Sequence, residues 1–151
     1  MTIAGCDYST HAVDIVLLDE TTDAATWHRF PLAGRDAFER ARYVRLAMPG
    51  GSFWDDVLAV GIEEPRGYNS GALYRVQGAI LARVPLDKLV QPLGPSEWRR
   101  RVGLSGNASK GEVKSQVITW AWASGAGGWP LDACDAYCIA LATRSMIQVA
   151  A

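Results

Sequence analysis

Four carboxylates stand at positions where this sequence is otherwise apolar. Asp7 closes the run Ile3-Ala4-Gly5-Cys6, and Glu63 closes Leu58-Ala59-Val60-Gly61-Ile62. Asp132 and Asp135 are three residues apart in Leu131-Asp132-Ala133-Cys134-Asp135-Ala136, so they share one face of a helix near its start. A carboxylate at the end of a buried strand costs desolvation energy unless a partner or a cation meets it. Like charges brought into one pocket raise one another's pKa, and such a cluster is stable chiefly when cations occupy it. Oxygen-only donors select magnesium or manganese over zinc. Two ions about 3.5 to 4 Å apart would support in-line hydrolysis of a phosphodiester. Each acid also has a plainer account: Asp132 as a helix N-cap, Asp135 as a capping-box acid or a first-turn charge, the strand-end acids as chance.

Positive charge collects next to the second pair. Arg99, Arg100, Arg101, Lys110 and Lys114 face a single acid, Glu112, between positions 99 and 114, while the whole chain carries a net charge of -1. Such a stretch can grip phosphates, or can simply be a solvated helix face.

The elements that must position these groups follow from hydrophobic period. Residues 3–7 and 12–19 read as two strands joined by Tyr8-Ser9-Thr10-His11, a hairpin. Residues 26–31 alternate and end at Pro31, as an edge strand does. An amphipathic helix is expected over 34–48, stopped by Pro49-Gly50-Gly51. Residues 58–63 read as a buried strand, 72–82 as a helix and 84–92 as another strand, together a β-α-β unit. A short helix at 96–101, a loop at 103–109 and two helices at 110–123 and 131–147 complete the chain. The expected fold is α/β: a mixed five-stranded sheet with helices on both faces. If the β-α-β unit packs beside the first hairpin, the C-terminal strand ends bring Asp7 and Glu63 together, where open sheets place ligands. Alternation then turns Glu64 away from Glu63.

At this point the sequence resembles the RuvC-type Holliday junction resolvases of the ribonuclease-H-like superfamily over nearly its whole length. Ile3-Ala4-Gly5-Cys6-Asp7 looks like the family's first catalytic strand and Val60-Gly61-Ile62-Glu63 like its second. Lys114-Ser115-Gln116-Val117 resembles a segment whose lysine approaches DNA, and Asp132-Ala133-Cys134-Asp135-Ala136 matches the paired acids of the terminal helix. Tyr8-Ser9 stand where the family commonly carries Pro-Gly.

The resemblance implies a homodimer that cuts opposing strands of a four-way DNA junction, with two magnesium ions, or manganese in their place, held by Asp7, Glu63, Asp132 and Asp135. It implies that Lys114 acts at the scissile region and that Lys110 and Arg99 to Arg101 follow adjacent backbones. The family uses an aromatic after its glutamate; the nearest here is Tyr68, expected to stack on a base with Arg66 on phosphate.

Composition narrows the classes. A chain of 151 residues fits one domain, 1–151. Its apolar runs fall far short of the roughly 20 residues that span a bilayer, and the N-terminus has no basic stretch leading into an apolar one, so a cytoplasmic protein is expected. Cys6, Cys134 and Cys138 read as small buried hydrophobes, since their spacing lacks a zinc pattern. Trp120, Trp122 and Trp129 fit core packing or a dimer contact, Trp98 is a weaker DNA candidate, and His11 and His28 are a turn residue and a structural one. Two rivals remain: a fork, flap or RNA/DNA-hybrid nuclease of the same fold, and an inactive scaffold of that fold. A kinase or ATPase would need a phosphate-cradling glycine loop that 103–106 does not supply.

Overall fold

The computed structural model describes residues 1–67, 70–105 and 110–150, the side chains of 110, 149 and 150 excepted. Three strands, β1 (Thr2–Tyr8), β2 (Ala12–Asp19) and β3 (Ala25–Pro31), form an antiparallel meander. Helix α1 (Ala37–Ala47) and a short 3-10 turn (Gly51–Trp54) lead to β4 (Val57–Glu63), which lies parallel to β1. Then come α2 (Gly71–Leu81), β5 (Leu89–Leu93), α3 (Pro95–Arg101), α4 (Lys110–Ala123) and α5 (Leu131–Ala150). The sheet order is β3-β2-β1-β4-β5. This is the mixed five-stranded sheet, with helices on both faces, that the sequence predicts.

Boundaries shift for local reasons. Helix α1 starts later than expected because Asp36 caps it, its Oδ1 accepting from the backbone N–H groups of Phe38 and Glu39 at 2.9 Å. Strand β5 starts at Leu89, not at 84, because the Lys88 N–H closes a turn on the Pro85 carbonyl. Pro92 is tolerated in β5 because that strand is an edge.

Alternation sorts the sheet's side chains into two cores. Ala4, Cys6, Val13, Ile15, Val60 and Ile62 pack against α1 and α2. Val16 and Leu18 pack on the other side with Trp98, Val117, Ala136 and Ile139 from α3, α4 and α5. On that second side the backbone of α5 lies directly on the central strands. A Cβ on Gly5 would stand 2.0 Å from the Ala136 carbonyl oxygen, and one on Gly61 would stand 1.9 Å from Thr143 Oγ1. The three cysteines are buried and free. Arg144 of α5 donates to the Asp19 carbonyl and pairs with Asp23 at 2.7 Å, fixing the helix to the β2–β3 turn. Among the described residues no helix is long and apolar enough to cross a membrane.

Candidate active site

Gly5 and Gly61 face α5, so period-two alternation sends Asp7 and Glu63 to the same side. Cys6 pairs with Ile62 across the parallel β1–β4 ladder, which puts the two acids at adjacent strand ends. The start of α5 supplies Asp132, in its first turn, and Asp135 three residues on. Glu63, Asp135 and Asp132 all act electrostatically on Asp7, so the structure brings the four sequence-predicted carboxylates into one neighbourhood.

The end of β4 is held by its backbone. The Glu63 carbonyl accepts from Tyr8 Oη at 2.9 Å and from Gln77 Nε2 at 3.1 Å, tying β1 and α2 to it. Glu64 lies outside this arrangement, with one carboxylate oxygen 3.8 Å from Arg66.

The electrostatics are those of crowded, half-buried acids. Burial, reinforced by Glu63, Asp135, Asp132 and Asp14, holds the Asp7 carboxyl well above the usual carboxylate range. Burial and the neighbouring Glu63 push Asp135 up to about 7, against an opposing pull from Arg99 and Lys114. Burial also raises Glu63, which is partly relieved by a hydrogen bond from Trp98 and by Arg99. Among the described residues no hydrogen-bond donor is directed at the Asp7 carboxylate.

The outer two acids have protein partners. Trp98 Nε1 donates to Glu63 Oε2 at 2.8 Å, and Arg29 donates to Asp132 Oδ2 at 3.4 and 3.5 Å. No group of three or more His, Cys, Asp or Glu side chains among the described residues surrounds a common ion position. The donor chemistry nevertheless fits a hard divalent cation: every candidate ligand is a carboxylate oxygen, and Asp7 is half-buried among other acids with no hydrogen-bond donor, among the described residues, to offset them. Asp7, Glu63, Asp132 and Asp135 are the residues that could hold such an ion.

The cationic residues divide. Lys114, exposed on α4, and Arg99 both act on Asp135. Arg99 lies over the Trp98 ring, 4.9 Å from its centroid, so it stands at the cluster. Arg100 is exposed and returns to the Ser96 carbonyl, whereas Arg101 pairs with Glu97 at 3.5 Å within α3. One helical turn thus points three consecutive arginines in different directions. Arg66 is exposed on the loop after β4. Tyr68 and the Lys110 side chain lie outside the described residues.

Sequence reasoning missed three participants. Trp98, read there as a DNA candidate, is fully buried and serves Glu63 instead. Asp14 is a fifth acid, directly opposite Asp7 in the β1–β2 register and only 1% exposed. Arg29 joins it to Asp132. A signal for Asp14 was present: it is the one charged residue within Ala12-Val13-Asp14-Ile15-Val16-Leu17-Leu18.

The sequence matches no family model and no curated protein. Among solved structures, it is similar to RuvC of Thermus thermophilus, with a TM-score of 0.72 and 18% identity over 99% of this chain and 97% of that one. It is similar also to T. thermophilus RuvC in complex with a Holliday junction substrate, with a TM-score of 0.70 and 20% identity over 99% and 96% of the two chains. The chain therefore has a ribonuclease-H-like fold in the form that RuvC takes.

Proposed function

We propose that this chain is a divalent-metal-dependent endonuclease that resolves four-way DNA junctions, acting over 1–151 as a single catalytic domain and as a homodimer. The observation that carries the reading is the convergence of Asp7, Glu63, Asp132 and Asp135 at the C-terminal ends of β1 and β4, beneath the start of α5, with Lys114 and Arg99 beside them. Its likeness in fold to a RuvC bound to a Holliday junction substrate supports the choice of DNA.

Magnesium or manganese, two ions when bound, would supply the activated water and the stabilisation of the leaving 3'-oxygen that in-line displacement at phosphorus requires. The chain's own part is to hold those charges and present the phosphate. Asp7, fixed on the central strand, has its carboxylate half-buried among other acids, where opposite charge is worth more than in bulk water. Lys114 and Arg99 put positive charge where the phosphodiester must approach four acids, reducing the repulsion it meets. Arg66, Arg100, Arg101 and Lys110 follow the flanking backbone, and Tyr68 stacks on an unpaired base. Two-fold pairing of such chains would suit a substrate of near two-fold symmetry.

A second reading, an inactive scaffold of this fold, draws on the engagement of Glu63 and Asp132 by Trp98 and Arg29. Matched four-way junction, fork, flap and linear duplex substrates, end-labelled and incubated with magnesium, manganese or chelator, separate the readings. Paired nicks confined to the junction are the expected result. Equal cutting of forks and flaps would make the chain a general branch nuclease, and no cutting with either ion would favour the scaffold.

A further inference from the structure

Asp14 is a buried acid whose hydrogen-bond partners, among the described residues, come from β3. Its Oδ1 accepts from Trp27 Nε1 at 2.8 Å and from Arg29 Nη1 at 3.3 Å. Arg29 is the direct register partner of Asp14 across the β2–β3 ladder, and Trp27 is two residues away on the same face. The same guanidinium then reaches α5, where Nη1 and Nη2 lie 3.4 and 3.5 Å from Asp132 Oδ2. One arginine thus links an acid opposite Asp7 to an acid of the candidate ion site.

The two ends of this link differ in strength. The Asp14 side chain is 2% exposed, so leaving its charge without Arg29 would be costly, whereas Asp132 is 47% exposed and its pairing alone is weak. Arg29 is therefore held by Asp14 and Trp27, and Asp132 meets a cation already in place. A carboxylate that shares a fixed guanidinium has less charge to offer an incoming ion, yet its position is defined before the ion arrives.

We infer that Arg29 is a positioning residue and a resident cation of the carboxylate site: anchored by Asp14 and Trp27, it orients Asp132 and competes with divalent metal for it. This rests on the metal-dependent reading above. Its consequence is a site whose affinity for the ion at Asp132 is set by a residue on the edge strand and not by the ligands alone.

The test is manganese binding to the DNA-free protein, read from the electron paramagnetic resonance signal of free Mn2+. Arg29→Gln removes the competing charge, and the weaker manganese site should tighten about fivefold or more, as loss of a unit charge a few ångströms away implies. Arg29→Lys keeps the charge and should stay within about twofold of the parent protein, a contrast that a purely structural role would not produce. In an Asp132→Asn background, Arg29→Gln should have no effect. If Arg29→Gln strands Asp14 and fails to fold, D14N and D14N/R29Q, which leave no buried charge alone, repeat the comparison with the same tightening expected. Unchanged manganese affinity on loss of Arg29 would overturn this inference alone. A parent protein that binds no manganese would overturn the metal site and the inference with it.

Discussion

The indole N–H of Trp98 sits 2.8 Å from Glu63 Oε2, so a residue of α3 holds the acid that closes β4. Trp98 is fully buried and Glu63 is only partly exposed, which makes this a dehydrated, charge-assisted hydrogen bond. Trp98→Phe keeps most of the packing and removes the donor. Urea unfolding in chelator should show a loss of about 1.5 to 3 kcal/mol. Adding manganese should recover part of that loss, because a bound cation substitutes for the donor.

The pH dependence of stability has a definite sign. Asp7, Glu63 and Asp135 have folded-state carboxyls raised above their ordinary range, Asp135 to about 7. Their protonated forms favour the folded chain, so this contribution is fully present below the unfolded-state carboxylate pKa and is lost as pH rises through the raised values. In chelator the melting temperature should therefore fall between about pH 4 and pH 8. Manganese, which on the proposed function binds the deprotonated acids, should reverse that fall at pH 8. A melting temperature that rises across this window in chelator would contradict the crowding of the three acids.

Removing one charge from the cluster should help the fold and abolish the chemistry. Asp7→Asn should raise the melting temperature in chelator at pH 8, since a half-buried charge repelled by Glu63, Asp135, Asp132 and Asp14 is neutralised. The same variant should lose junction cleavage while retaining junction binding in a gel-shift assay. A lower melting temperature would mean that the carboxylate has a stabilising partner.

The close approach of α5 to the sheet is what brings Asp132 and Asp135 over Asp7. Gly5→Ala would place a methyl 2.0 Å from the Ala136 carbonyl oxygen and 2.4 Å from the Ala140 nitrogen, both backbone atoms that cannot turn aside. Unfolding should reveal a loss of about 3 kcal/mol or more. Any folded fraction should also bind manganese less well, as α5 is forced outward. Gly78→Ala, where a Cβ meets nothing within 4 Å, is the control and should leave stability unchanged or slightly raised.

Lys114 is exposed on α4 and acts on Asp135 from outside the core. Lys114→Ala should leave the urea midpoint within about 0.5 kcal/mol of the parent, while single-turnover cleavage of a junction slows about tenfold or more. An unchanged cleavage rate would remove Lys114 from the reaction.

Much of this arrangement was legible in the sequence, because hydrophobic period and strand ends are local features. The run ending at Asp7, the run ending at Glu63 and the i,i+3 acids of α5 were each visible, whereas the β1–β4 contact was legible only on the condition that the β-α-β unit packs beside the first hairpin, which it does. What escaped depends on partners far apart in the chain. Trp98 and Glu63 are 35 residues apart, and Arg29 and Asp132 are 103 apart. No periodicity announces such pairs. Asp14 was readable as an anomaly in an apolar strand, but its partners required the β2–β3 register. The run Arg99-Arg100-Arg101 reads as one basic patch in the sequence, yet helical geometry gives each arginine a different neighbour.

The most direct test of the central claim is the manganese-dependent cutting of an end-labelled four-way junction by the parent protein and by Asp7→Asn, with the products then treated with DNA ligase. Hydrolysis with a 3'-oxygen leaving group predicts paired nicks that the ligase reseals, present only with divalent metal and absent in the variant. Cutting that persists in chelator or in Asp7→Asn, or the absence of cutting by the parent protein, would contradict the account.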